Sequence, residues 1–285
     1  MTIPAFLKQP LDALIDNALV EDIGSGDHSS KACIDANAQG NARLLIKDHG
    51  VLAGVDFAEY VFQKVDPNII FTKLLNDGAK IKKGEIAFTV SGSVHTILKL
   101  ERLILNVMQR MSGIATRTHS LVEKLQGTNC HLLDTRKTTP NFRVMEKWAV
   151  RIGGGVNHRF GLYDMIMLKD NHVDAAGGIK NAIESTHEYL KKNNLTLKIE
   201  VETRSIAEVK EVMAYGGVDR IMLDNFSIPD LKEAMSIIGN AYETEASGGI
   251  NDETIHDYAL TGVNFISTSV MTHSVKSLDL SLKIY

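Results

Sequence analysis

From about residue 128 onward the chain repeats one rhythm: a short apolar or β-branched run ends on a polar residue, and a helix-length stretch follows. The runs are CHLLD, YDMIMLK, LKIEVE, DRIMLD, YETEAS and VNFIST, spaced about 20 to 35 residues apart, which leaves room for a helix after each. Parallel strands need such crossovers, so the rhythm predicts βα units around a parallel sheet. Closure into a TIM-like barrel is the natural arrangement, although a full barrel has eight strands; an open doubly wound sheet is the alternative.

The first part of the chain reads differently. LDALIDNALVED predicts a helix that runs into the turn residues GSGDHSS. ARLLIKDHGVLAGV and IIFTKLLNDGAKIKKGEIAFTVSGSV alternate apolar and polar residues between Gly, Asp and Asn, with the amphipathic helix DFAEYVFQKV between them. That pattern predicts a small α+β domain on an antiparallel sheet. From Thr96 to Leu125 the period becomes helical, with Ile97, Leu100, Ile104, Val107, Met108 and Met111 at steps of one, three and four. The methionines at this spacing are expected in the core. A domain boundary falls near this helix, giving an N-terminal domain over 1–112 and a barrel over 113–271. A C-terminal helix over 272–285 is expected to pack back on the first domain.

Parallel α/β folds build their sites where strands end, so the residues closing each run are the ones to inspect. They are Arg136 and Lys137; Lys169; Glu202; Asp224; Ser247 with Gly248 and Gly249; and Ser267 with Thr268 and Ser269. Any one of them alone reads as a solvated strand end, but the set does not. Glu200 and Glu202 stand two apart on a strand and face the same way, into the barrel or its mouth. A divalent metal bound through water, or the hydroxyls of a sugar, would account for them, with Asp224 as a third oxygen donor. The small residues after the last two runs could hold a phosphate through backbone N–H groups at the start of the following helix. The triplet Gly153-Gly154-Gly155 is neither a dinucleotide fingerprint nor a P-loop; it is expected to end the helix FRVMEKWAV and turn the chain toward His158.

Charge sharpens the picture. The chain carries a net −4, yet between Thr135 and Lys169 it sets Arg136, Lys137, Arg143, Lys147, Arg151, Arg159 and Lys169 against only Glu146 and Asp164. A local surplus in a mildly acidic chain points to a small anion rather than to nucleic acid. Two cysteines, Cys33 and Cys130, form no metal-ligand spacing and fit a reducing cytoplasm. No signal-peptide pattern and no apolar run long enough for a membrane span is present, so neither export nor a membrane partner is expected.

The motifs ALVEDIGSGD, ERLILNVMQRMSGIAT, DTRKTTPNFRVMEKWAVRIGGGVNHRFGLYDMIMLKDNH, IEVET, IMLDNF, EASGGI and THSVKSLDLSLKI together resemble the quinolinate phosphoribosyltransferases nearly end to end. The resemblance implies an incomplete TIM-like α/β barrel with a smaller N-terminal α+β domain, in a homodimer whose subunits share active sites. It implies transfer of phosphoribosyl from phosphoribosyl pyrophosphate to quinolinate with loss of CO2, in NAD biosynthesis, with Mg²⁺. Quinolinate would be held by Arg102 from the partner subunit and by Arg136, His158, Arg159 and Lys169. Phosphoribosyl pyrophosphate would be held by Lys137, Glu202, Asp224, Ser247, Gly248, Gly249, Thr268, Ser269 and His273. Glu202 and Asp224 would reach the metal through water, and Lys137, Lys169, Glu202 and Asp224 would carry catalysis.

Two positions depart from the family pattern. Asn141 stands where Gly is usual, which Asn tolerates in turns. Ser269 stands at a usual Gly thought to approach the phosphate, where a side chain either crowds the backbone or adds a hydroxyl. A molybdenum-transport-associated homologue shares this fold, and the complete cation set argues against it. A silent phosphate-ligand sensor has only Ser269 in its favour.

Overall fold

A computed structural model describes the backbone of residues 5–285 and side chains from Pro10 onward; residues 1–4, the first of the expected N-terminal domain, lie outside the described residues. The chain divides into two compact units, one comprising Met1–His119, Thr138–Gly154 and Met271–Tyr285, the other Ser120–Lys137 and Gly155–Val270. The segment Thr138–Gly154, which the sequence reading placed with the barrel, thus belongs to the first unit.

In the first unit, helix α1 (Ala5–Ile23) is followed by the short α2 (His28–Cys33), whose N-terminus is capped by Asp27. Next come β1 (Gln39–Ile46), β2 (Gly50–Val51), α3 (Val55–Val65), β3 (Ile70–Lys73), β4 (Lys80–Ile81), β5 (Ile86–Ser93) and the long α4 (Val94–Glu123). A four-stranded antiparallel sheet has the order β12-β1-β5-β3, in which β12 spans Leu280–Ile284. The C-terminal segment is therefore a strand and not the expected helix. Leu278, Leu280, Leu282 and Ile284 alternate with polar residues at period two, which is the pattern of a half-buried strand. Leu44 pairs with Leu282 and Ile46 with Leu280 in register.

Apolar burial dominates this unit. Ala42, Leu44 and Ile46 on β1 turn inward, and Phe57, Phe62 and Phe88 are fully buried beside them. Helix α4 contributes Ile97, Leu100, Ile104, Met108 and Met111, all 0% exposed, so its methionines are core. Gly54 has a left-handed φ of 98° at the head of α3, and the Asp77 carboxylate accepts from the Val55 N–H (2.8 Å), capping that helix from another loop. Helix α5 (Arg143–Ile152) also belongs here. Its Glu146, 0% exposed, accepts from Arg110 (2.8 Å) and from the Thr139 hydroxyl (2.9 Å), and Arg110 donates on to the Thr272 carbonyl (2.6 Å). Gly154, with φ of 95°, then turns the chain as expected.

The second unit contains β6 (His131–Leu133), β7 (Ile166–Leu168), α6 (Asp170–Ala176), α7 (Ile179–Asn193), β8 (Ile199–Thr203), α8 (Ile206–Tyr215), β9 (Arg220–Asp224), α9 (Ile228–Ile238), β10 (Glu243–Ser247), α10 (Ile255–Ala259) and β11 (Phe265–Ser267). Helix α11 (Val270–His273) follows. All six strands are parallel and stand in the order β6-β11-β10-β9-β8-β7. Each strand neighbours the next in sequence except the first two, and the last returns beside the first. That is barrel order interrupted once, whereas a doubly wound sheet would reverse direction from a central strand. At the interruption, a single bridge from Leu133 to Val156 extends β6 sideways.

Candidate active site

The strand ends of the second unit enclose a cavity of about 720 Å³, a size suited to small substrates. One wall is cationic. Arg136 and Lys137 follow β6, Arg159 lies in the loop before β7, and Lys169 immediately follows β7. The other wall, formed by the next strand ends, carries Glu202 on β8, Asp224 at the end of β9 with Asn225, and Ser247 at the end of β10 with Gly248 and Gly249; Ser267 at the end of β11, with Thr268 and Ser269, closes the ring.

Strand register explains which side chains meet. Glu200 on β8 stands opposite Arg220 on β9, which stands opposite Glu243 on β10; one inward layer higher are Glu202, Met222 and Glu245, and above them Asp224 and Ser247. The loop bearing His158 and Arg159 is fixed by the fully buried Asp134, which accepts from the His158 backbone N–H (2.8 Å) and the Asn157 amide (2.6 Å). Arg159 donates to the Met165 carbonyl (3.0 Å).

The electrostatics of the cationic wall suit an anion. Burial and the neighbouring Arg136 charge both push the Arg159 pKa below its ordinary value. On the other wall, burial and then Glu202 raise the Asp224 pKa, while Lys169 opposes this. Lys169 Nζ lies 3.0 Å from Glu202, and the Asp224 carboxylate accepts from the Asn225 amide (2.6 Å). A divalent cation near Glu202 and Asp224 would relieve the repulsion between those carboxylates, so their chemistry fits such an ion.

Beneath the rim the barrel interior is charged. His158 Nε2 lies 3.1 Å from Glu200 and 3.2 Å from Glu245, both 0% exposed, and Arg220 reaches Glu245 (3.1 Å) and Glu243 (3.0 Å) while stacking on Phe265. Burial works against a charged His158 ring, but the two carboxylates outweigh it and lift its pKa to about 9. The Arg159 backbone N–H, 2.6 Å from Nδ1, favours a neutral ring. That contact joins adjacent residues and is partly imposed by covalent geometry, and the pair of carboxylates prevails over it. Burial and Glu245 raise the Glu200 pKa to about 7. His158, Glu200 and Glu245 also offer a nitrogen and two carboxylates within 4.8 Å of one another, a set able to hold a metal ion. Here the imidazole sits between those carboxylates and Arg220 neutralises one of them, so the cluster balances its own charge.

Of the residues singled out in the sequence, Arg136, Lys137, His158, Arg159, Lys169, Glu202, Asp224, Ser247, Gly248, Gly249, Thr268 and Ser269 line one cavity. Arg102 and His273 do not: Arg102 is exposed on α4, and His273 is exposed on α11 with its ring bonded to Ser274. The cationic segment divides as well, because Arg143, Lys147 and Arg151 lie on α5 in the first unit. Glu200 and Glu202 share a face as expected, yet each meets a protein cation, His158 and Lys169 respectively. The Ser247-Gly248-Gly249 turn has φ of 90° and 64° at its glycines, and a side chain on Gly248 would collide with Asn225. It does not open a helix, since α10 begins only at Ile255. Ser269 has no left-handed φ and immediately precedes α11, so a side chain is accommodated there; Asn141 does take a left-handed φ of 61°. Glu245, Asp170 and Asn225 are lining residues that strand ends alone did not reveal, and inward alternation along YETEAS would have found Glu245.

Fold and site together define an α/β-barrel enzyme with a pocket for anionic substrates at its strand ends. The family model for the N-terminal domain of quinolinate phosphoribosyl transferase matches residues 27–112, and that for the C-terminal domain matches 114–283. The chain belongs to this family. It is 46% identical to quinolinate phosphoribosyltransferase [decarboxylating] 1b of Nicotiana tabacum, over 99% of this chain and 84% of that protein. Against the probable nicotinate-nucleotide pyrophosphorylase [carboxylating] of Bacillus subtilis identity is 39%, over 96% and 93%. The crystal structure of NadC from Streptococcus pyogenes superposes with a TM-score of 0.92 at 39% identity, covering 100% of this chain and 99% of that one.

Proposed function

We propose that this chain transfers phosphoribosyl from phosphoribosyl pyrophosphate to quinolinate, releasing pyrophosphate and CO2 and forming nicotinate mononucleotide for NAD biosynthesis. The observation that carries this reading is the two-sided pocket, with mutually repelling guanidinium groups on one wall and mutually repelling carboxylates on the other. Guanidinium forks suit the two carboxylates of a rigid pyridine ring. Glu202 and Asp224 suit ribose hydroxyls, and would hold Mg²⁺ through water; when bound, that ion would neutralise the diphosphate.

Arg136, Arg159 and Lys169 orient quinolinate so that its ring nitrogen faces C1 of the ribose. The nitrogen forms the new bond as the C1–O bond to pyrophosphate breaks, and the protein's part is to position the reactants and stabilise the oxocarbenium-like charge. Lys137 supports the departing phosphate as a compact cation. CO2 then departs and leaves its bonding electron pair on the ring carbon, where the adjacent quaternised nitrogen stabilises it, and that carbon takes a proton from solvent. Ser247, Gly248, Gly249, Thr268 and Ser269 offer hydroxyls and backbone N–H groups to the phosphates.

We further read the working form as a cytoplasmic homodimer in which the exposed Arg102 enters the partner's pocket. Free Cys33 and Cys130 support a reducing compartment, and no helix among the described residues is long and apolar enough to cross a membrane. Incubation of purified protein with both substrates and Mg²⁺ should yield nicotinate mononucleotide, and chelator should abolish it; absence of product from folded protein would refute the activity. Mixing Arg102→Ala with Lys169→Ala protein restores about a quarter of full activity if subunits exchange freely. No recovery after demonstrated exchange would refute the shared site.

A further inference from the structure

Barrel interiors are ordinarily filled by branched apolar residues, whereas this one brings carboxylates from β8 and β10 to a single imidazole across the intervening β9. A buried ion cluster adds little net stability compared with apolar packing, so its presence calls for another role. The His158 backbone is anchored, and both nitrogens of its ring have close polar neighbours. Its backbone N–H is taken by Asp134 (2.8 Å), Nδ1 meets the Arg159 N–H (2.6 Å), and Nε2 lies 3.1 and 3.2 Å from Glu200 and Glu245. Glu245 is held in turn by Arg220 (3.1 Å). Neither carboxylate stands at a strand end, and Glu200 does not line the cavity.

We propose that Glu200 and Glu245 are positioning residues that act through His158: they fix its ring, and with it the adjoining Arg159, where the pocket receives the pyridine dicarboxylate. This rests on the quinolinate reading above and deepens it. Their effect falls on one substrate only, because His158 and Arg159 belong to the cationic wall while the sugar diphosphate is held by Glu202, Asp224 and the loops after β10 and β11.

Glu200→Gln and Glu245→Gln preserve side-chain size and remove one charge. Calorimetric titration of each variant should show quinolinate affinity lowered about tenfold or more, with affinity for phosphoribosyl pyrophosphate within about twofold of the parent. In a His158→Gln background the further loss from Glu200→Gln should shrink to less than about twofold, because the carboxylate then has no imidazole to hold. Equal weakening of both ligands would mean a merely structural role, and an undiminished loss in the His158→Gln background would mean action independent of the ring; either overturns the proposal, as does parental quinolinate affinity in the folded single variants. If Glu245→Gln does not fold, Glu200→Gln and the double variant decide the matter. A parent protein that binds no quinolinate would refute the function itself, and the proposal with it, which separates the two failures.

Discussion

The N-terminal unit fills its interior with Phe57, Phe62 and Phe88, whereas the barrel fills its own with Glu200, Glu245, His158 and Arg220. The first interior draws its free energy from apolar surface removed from water, at about 25 cal/mol per Å². The second places buried charges where each requires a partner, and the desolvation of such charges largely offsets their attraction. One region is therefore built to be stable, and the other to hold side chains at set angles beneath a pocket. Even the charged contacts of the first unit, such as Arg110 with Glu146, join separate chain segments rather than face a cavity.

The difference can be tested by damaging each interior in turn. The largest effect on stability is expected from Phe88→Ala, about 3–5 kcal/mol in denaturant unfolding, with quinolinate affinity of the folded fraction unchanged. A loss below about 1 kcal/mol would show that the aromatic core does not hold the unit. Next in size, Arg159→Ala should weaken quinolinate binding by about 1.5–3 kcal/mol while leaving the melting temperature equal or higher, since it removes the repulsion with Arg136. A marked fall in melting temperature would place Arg159 among the supports of the fold.

Smaller effects distinguish the regions by pH. Burial raises the Asp77 carboxyl of the first unit from 3.8 to about 6, so the folded state binds more protons than the unfolded one in that window and stability falls as pH rises from about 4 to 6. Asp77→Asn should flatten this slope, worth about 3 kcal/mol. In the barrel, the raised His158 pKa contributes stability that is fully present below 6.5 and is lost as pH rises through about 9. His158→Gln should flatten that upper window, and Asp77→Asn should leave it unchanged. A slope above pH 7 that Asp77→Asn altered, or that His158→Gln left intact, would break the assignment.

Much of this was readable in the sequence where periodicity carried it. Six apolar runs gave six parallel strands, and the three-four spacing of Ile97 to Met111 gave the buried face of α4. Strand ends led to most of the pocket because parallel strands deliver their last residues to one rim. Charge counting was less discriminating. Lys147 has the same charge as Lys169, but α5 carries it into another unit, and a local surplus holds no information about which unit receives it. Glu245 is hidden from a reading of strand ends because Ser247, two residues beyond it, ends the strand, although both face inward. The C-terminal strand was legible in its alternation; its partner β1 lies more than 230 residues away in sequence, a pairing that no local window contains.

The most direct test of the account offers quinolinate and nicotinate, in parallel and under identical conditions, to the Mg²⁺-supplied protein with phosphoribosyl pyrophosphate, and measures nucleotide formed and CO2 released. A cationic wall built around Arg136, Arg159 and Lys169 predicts rapid conversion of quinolinate with one CO2 per nucleotide, and poor use of nicotinate, which presents a single carboxylate. Turnover of nicotinate equal to that of quinolinate, or nucleotide formed from quinolinate without CO2, would contradict it.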